Sequence, residues 1–314
     1  MSRCILLLNR ASGGNQRGLD PREVCQTTEQ IFTAAGHVIS SDLIAPQDIE
    51  SALARAIGTR PDAILVGGGD GTVSTAARLL GGTGIAMGIL PMGTFNLAAR
   101  DFGVPLEIDA AARFLADAGA FPVDVLEVAG HACLCTTILG FYPEFSKIFE
   151  NRDHGGRWWK KTLKLITGLR ATFVNARAIP LSWECDGNGG GTARTKFSAF
   201  VPGRYKDSAG LIPARTEFSS GKLTAYIGKQ EKPAAVLRAM VDYTLGLHEH
   251  NAALEIVTGS RMTLRAARRK SCRAMLDGEI LRLSFPIELQ VRPKHLMVLT
   301  TEEVLSEAPT LSAP

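Results

Sequence analysis

Three short stretches of the 314-residue chain put small residues, hydroxyls and acids where chemistry could be done. The first, Gly67-Gly68-Gly69-Asp70-Gly71-Thr72, follows an apolar run and leads into the alanine-rich stretch 73–80. Glycine loses more backbone entropy on folding than other residues, so a cluster at a strand-to-helix junction implies that something lies close against the main chain. Backbone N–H groups at a helix N-terminus, with the helix dipole behind them, favour an anion, typically phosphate. No lysine follows the last glycine, which excludes a Walker loop, and the glycine spacing is not that of a dinucleotide-binding fingerprint. A tight turn with Asp70 and Thr72 as ordinary capping residues is the competing reading. The second stretch, Pro91-Met92-Gly93-Thr94-Phe95-Asn96, again runs strand, turn, helix. Thr94 offers a hydroxyl there, and Asn96 either caps the helix or touches ligand. The third, Asp277-Gly278-Glu279, carries two acids in a tight turn. By itself it reads as a hairpin, because Asp-Gly is a strong turn signal.

The surrounding elements must bring these stretches into place. Residues 4–9, 37–44, 63–69 and 85–91 read as strands, interleaved with helical patterns at 21–35, 48–58 and 72–80. Strands alternating with helices imply right-handed crossovers and a parallel sheet. The first two stretches would then line one crevice at the carboxyl edge of that sheet, where open α/β folds bind ligands. The pattern changes after Pro122. Strand-like runs separated by turn residues continue from 123 to 293, pointing to an antiparallel β domain. The glycine-rich stretch 186–192 reads as a flexible hairpin loop, and 157–175 as a helix. The boundaries expected are 1–122 for the α/β domain, joined by a returning strand at 294–305, then 123–293 for the β domain. Residues 306–314 read as a disordered tail.

Hydrophobic residues make up 45% of the chain and charged residues 21%, a globular composition that excludes a disordered protein. A net charge of +4 is too small to argue for nucleic acid, yet it suits an anionic substrate or membrane surface. The six cysteines include no C-x-x-C pair, so buried free thiols are expected; Cys133 and Cys135 would face one side if they lie in a strand. The apolar run at the N-terminus is too short for a signal sequence, and no segment has transmembrane length. A cytoplasmic protein touching membrane from outside is the expectation.

Taken together, "GGGDGT", "PMGTFNLAARDFGVP" and "LDGE" resemble the diacylglycerol kinase family of lipid kinases, whose catalytic region bacterial lipid kinases and sphingosine kinases share. The resemblance extends over nearly the whole chain, including "LNRASGG" near the start. It implies an N-terminal doubly wound parallel-sheet domain followed by a C-terminal antiparallel β-sandwich domain, with ATP between them. Carried over, Asn9, Ser12, Gly13 and Gly14 border the nucleotide. Gly67, Gly68, Gly69, Asp70, Gly71 and Thr72 hold its phosphates, with Gly93, Thr94 and Asn96 reaching them from the second turn. Asp70 acts on the γ-phosphate through Mg²⁺ and water. Asp277 and Glu279 are both candidates for the base that accepts a proton from the lipid hydroxyl. The default substrate is diacylglycerol. The rivals are an NAD-kinase-like enzyme and a non-catalytic lipid- or nucleotide-binding protein.

Two departures from the family pattern stand out. Leu97 follows Asn96 where many members have Asp, and Ser219-Ser220-Gly221 stands where bacterial members carry an acidic segment tied to a structural Mg²⁺. That second metal is therefore not expected. Trp158, Trp159 and basic residues between 154 and 176 suit a membrane interface, and six basic residues crowd 261–273. Peripheral contact with anionic membrane is expected, no nucleic-acid partner is, and a homodimer is left open.

Overall fold

Apolar runs that alternate with helix-period stretches build a parallel sheet at the N-terminal end. In this computed structural model, residues 1–12, 20–93, 96–140, 178–187, 189–205, 215, 217–229 and 254–306 are described. Strand β1 (Arg3–Asn9) pairs in parallel with β2 (Val38–Ile44) and with β3 (Ala63–Gly68), which pairs in parallel with β4 (Ala86–Pro91). Between them run α1 (Pro21–Ala34), α2 (Ile49–Gly58) and α3 (Asp70–Leu80); α4 (Leu97–Asp101) and α5 (Ile108–Asp117) follow β4. The α1 helix starts where it does because the Asp20 side chain accepts from the Arg22 N–H, with Pro21 at the first turn. Every residue of β3 and β4 is buried. Helices on both faces of a parallel sheet require such continuous apolar strands.

The chain then turns to antiparallel pairing. β5 (Gly119–Val128), β6 (His131–Cys133) and β7 (Thr137–Gly140) precede β8 (Ile179–Cys185), β9 (Gly189–Thr195) and β10 (Phe197–Pro202). Next come β11 (Leu223–Gly228), β12 (Leu254–Gly259), β13 (Arg261–Ala266), β14 (Ser271–Leu276), β15 (Glu279–Ser284) and β16 (Ile287–Thr300), with a short α6 (Glu302–Ser306) at the end. One sheet runs β2-β1-β3-β4-β16-β13-β8-β9, with β5 and β6 attached through β16; the other is β12-β11-β10-β7-β14-β15, antiparallel throughout. A shared apolar core that includes Leu181, Trp183, Leu264 and Leu289 from the first sheet and Phe200, Leu223 and Ala274 from the second makes this half a sandwich. The α/β class with a separate antiparallel sheet is the one read from the sequence.

Three local readings change. The runs on either side of Pro293 are one strand, β16, with a bulge between Arg292 and Leu296 where Lys294 takes a positive φ of 50°. This strand joins the two halves: its start pairs antiparallel with β13, and Met297 and Val298 pair in parallel with Ala86 and Met87. Glycines 189–191 are not loop but part of β9, opposite Cys185, Glu184 and Trp183 of β8. A side chain at Gly191 would collide with the Trp183 indole, so this glycine makes room for a ring, and one at Gly190 would meet the Trp183 carbonyl. Ser306, expected in the tail, ends α6. The expected helix at 157–175, with Trp158 and Trp159, lies outside the described residues, as do residues 307–314.

Candidate functional site

The parallel strands end side by side. Leu8 of β1 is level with Gly67 of β3, and Gly68 is level with Pro91 of β4, so Asn9, Gly69 and Gly93 share the carboxyl edge. Asn9 ties this edge together: its Nδ2 donates to Thr72 Oγ1 (3.1 Å) while its Oδ1 accepts from the Ala11 N–H (3.0 Å). Ser12 closes that turn by donating its N–H to the Asn9 carbonyl (3.0 Å). Gly13, Gly14 and Thr94 lie outside the described residues.

Gly93 is bare because the two turns touch each other. A Cβ on Gly93 would lie 2.7 Å from Gly69 Cα, a contact no real side chain makes. Asn96, buried and in the left-handed conformation (φ 51°), fixes the second turn by accepting from the Gly93 N–H (2.8 Å) and donating to the Gly93 carbonyl (3.0 Å). Asp70 is not the cap of its own helix. Its carboxylate accepts from the N–H groups of Leu97 (2.8 Å) and Asn96 (3.2 Å), so it caps α4 across the crevice. Burial raises the Asp70 pKa from its ordinary value, the two amides pull it back, and the charge of Asp277 pushes it up again.

Asp277 and Glu279 arrive at this crevice from the sandwich. Leu276 pairs with Glu279, leaving a two-residue turn in which Asp277 (φ 45°) and Gly278 (φ 95°) both have positive φ, as a type I′ hairpin requires. The turn's tip meets the glycine loop. A Cβ on Gly278 would lie 3.6 Å from Asp70 Cβ, and a side chain on Gly71 would run into the Glu279 carboxylate.

The two acids have different surroundings. Asp277 is 4% exposed and its oxygens accept from the N–H groups of Leu134 (2.6 Å), Cys135 (2.9 Å) and Thr136 (2.9 Å) and from the Cys133 thiol (3.3 Å). Desolvation raises its pKa, and these four donors oppose the rise. Glu279 is exposed at the crevice. The 133–136 cradle is not legible in the residues, because main-chain donors leave no mark in residue types. Cys133 and Cys135 lie by different acids, Asp277 for the first and Asp101 as well for the second, and burial drives both thiols well above their ordinary pKa. All six cysteines are free and buried, as expected.

The carboxylates of Asp70 and Glu279 both lie beside the glycine loop; since each Asp70 oxygen is already taken by a main-chain N–H, Asp70 would reach a phosphate-bound divalent cation only through water. The Ser219-Ser220-Gly221 segment does not fit one. The buried Asp124 beside it accepts from the Gly221 N–H (2.6 Å) and the Lys294 N–H (2.9 Å), and both serines are exposed. A cation there would need acceptors where the chain supplies donors.

Comparison with known proteins agrees with this geometry. The family described as the diacylglycerol kinase catalytic domain matches residues 3–128. A diacylglycerol kinase of Mycobacterium tuberculosis strain H37Rv is 27% identical over 256 residues, covering 80% of this chain and 81% of that one. A probable lipid kinase YegS-like of Pseudomonas aeruginosa PAO1 is 44% identical over 192 residues, covering 57% and 59%. The solved structure of a diacylglycerol kinase from Bacillus anthracis str. Sterne has the same fold, with a TM-score of 0.69 at 18% identity over 96% of this chain and 98% of that one.

Proposed function

We propose that this chain, a member of the diacylglycerol kinase-like lipid kinase family, transfers the γ-phosphoryl group of ATP to a hydroxyl of a membrane lipid, diacylglycerol first among them. The observation that carries this reading is the contact of the Asp277-Gly278-Glu279 turn with the glycine loop. Phosphoryl transfer is mostly positioning and charge stabilisation, so the phosphate cradle and the acceptor's base must share one cleft.

In this reading the N–H groups at the start of α3 face the phosphates. Asp70, acting through water, would help hold the Mg²⁺ carried by the phosphates, which neutralises charge on the transferring group. Glu279, exposed and poised over Gly71, orients the lipid hydroxyl and accepts its proton. Asp277 has its oxygens occupied by main-chain donors; it holds the turn in place. Asn9 and Asn96 keep the two nucleotide-facing turns in register.

An anionic membrane surface suits the edge hairpin formed by β14 and β15. Exposed Arg273 stands directly opposite exposed Arg282. Exposed basic residues near an anionic lipid surface add attraction of about 1 kcal/mol each. No helix among the described residues is long and apolar enough to cross a membrane.

The test is incubation of the purified chain with γ-labelled ATP, Mg²⁺ and vesicles carrying diacylglycerol, sphingoid base or ceramide, with NAD as a soluble acceptor. Label in the diacylglycerol fraction is expected, with Asp70→Asn lowering its rate about 10²-fold. Label on NAD, or ATP binding with no labelled lipid, would replace this reading with one of its rivals.

A further inference from the structure

We infer that the buried pair Arg215–Asp101 is a positioning clamp that sets the Asp277-Gly278-Glu279 turn against the glycine loop, an inference that rests on the lipid-kinase reading above. Asp101 is the last residue of α4, the helix whose first N–H groups are held by Asp70. Five helical residues make a stiff spacer about 7 Å long, so the position of Asp101 reports that of Asp70. Arg215 Nε lies 3.3 Å from Asp101 Oδ2. The same guanidinium donates through Nη1 to the Leu134 carbonyl (3.0 Å) and the Pro202 carbonyl (3.3 Å). Leu134 in turn donates its own N–H to Asp277. The connection closes into a ring: Asp70, α4, Asp101, Arg215, Leu134, Asp277, and through Gly278 back to Asp70.

Stability alone does not call for these charges. The Arg215 side chain is wholly inaccessible and that of Asp101 is 8% exposed. Removing two ions from water is costly, and apolar residues of similar volume often serve a fold equally well. Hydrogen bonding is not maximised either: among the described residues Arg215 Nε, Arg215 Nη2 and Asp101 Oδ2 have no hydrogen-bond partner, so the two side chains meet as an ion pair at 3.3 Å. What the guanidinium adds is a rigid plane. It lies 4.4 Å from the Phe218 ring centroid and 5.4 Å from that of Phe102, and it reaches one carboxylate and two carbonyls at once. A lysine could supply the charge but not the plane or the fork.

The test uses the full chain with Asp101→Asn, which is nearly isosteric, and Arg215→Lys, which keeps the charge. Two readouts are taken: steady-state kinetics with Mg-ATP and diacylglycerol vesicles, and amide hydrogen exchange. Misplacing reacting groups by an ångström can cost about 10²-fold in rate. We expect kcat to fall at least about 10-fold with the KM for ATP within about threefold, because the phosphate cradle is intact. Exchange at Leu134, Cys135 and Thr136 should quicken about 10-fold while β1 and β3 keep wild-type protection, a selective loosening that a merely structural residue would not give. Wild-type kcat in both folded variants, or exchange unchanged or raised evenly across both sheets, would overturn the clamp. If the wild-type chain phosphorylates no lipid, the exchange result decides by itself: selective loosening at 134–136 upholds the clamp, and an even or absent change rejects it.

Discussion

Gly278 sits over the side chain of Asp70, close enough that a Cβ on the glycine would be in van der Waals contact with it at 3.6 Å. Two residues from opposite ends of the chain thereby close one crevice. The contact is possible because β16 belongs to both halves, pairing with β4 at one end and β13 at the other. Relative placement of the phosphate cradle and the acidic turn is thus fixed by a single strand and refined by side chains.

Asp277 should matter for folding as much as for turnover. Asp277→Ala leaves the N–H groups of Leu134, Cys135 and Thr136 buried without their acceptor. Each stranded donor costs on the order of 1–3 kcal/mol, partly relieved by water entering the gap. A loss of about 3 kcal/mol is expected in urea unfolding. A variant as stable as wild type would mean that the cradle does not hold the turn.

Much of this organisation is legible in the residues themselves. The alternation of apolar runs with helical stretches gives the parallel sheet, and "GGGDGT" with "PMGTFN" marks its carboxyl edge. Side-chain roles within the site are harder to read. Asp70 and Thr72 look like caps for their own helix, yet Asp70 caps α4 and Thr72 accepts from Asn9. Both depend on which loops become neighbours in space. The same holds for Asp277 and Glu279: they stand two apart in sequence, and only the turn geometry buries one and exposes the other. Glycines 189–191 look like a loop because their strand partners, and the Trp183 ring that needs Gly191 bare, come from another strand. Arg215 belongs to no motif at all.

Stability should carry a signature of Asp101. Burial pushes its pKa up to about 6 from 3.8, and the charge of Asp277 adds to this, against the pull of Arg215 and the Cys135 thiol. The folded chain then holds this proton more tightly than the unfolded chain does. Its contribution to stability is complete below pH about 4 and is lost as pH rises through about 6. Asp101→Asn cannot titrate at this position. The stability of wild type minus that of the variant is expected to decline across this window and then level off. A difference that is flat or rises with pH would contradict the assignment.

Chelation offers an independent check on the Asp124 junction. Its two oxygens are each engaged by a main-chain N–H, from Gly221 and Lys294, where a cation would require acceptors. Without nucleotide, EDTA should leave Tm unchanged, and added Mg²⁺ should not raise it. A rise of several degrees on adding Mg²⁺ to the nucleotide-free chain that is retained in Asp70→Asn and lost in Asp124→Asn would mean that this segment holds a structural ion after all.

Glu279 is where the account is most exposed. If its carboxylate orients the lipid hydroxyl and takes its proton, Glu279→Gln should fold as wild type does, since the side chain is exposed. The direct measurement is kcat for transfer from γ-labelled ATP to diacylglycerol vesicles in that variant. A fall of about 10²-fold or more is expected, the usual range for loss of a general base. A Glu279→Gln enzyme that turns over at the wild-type rate would contradict the account.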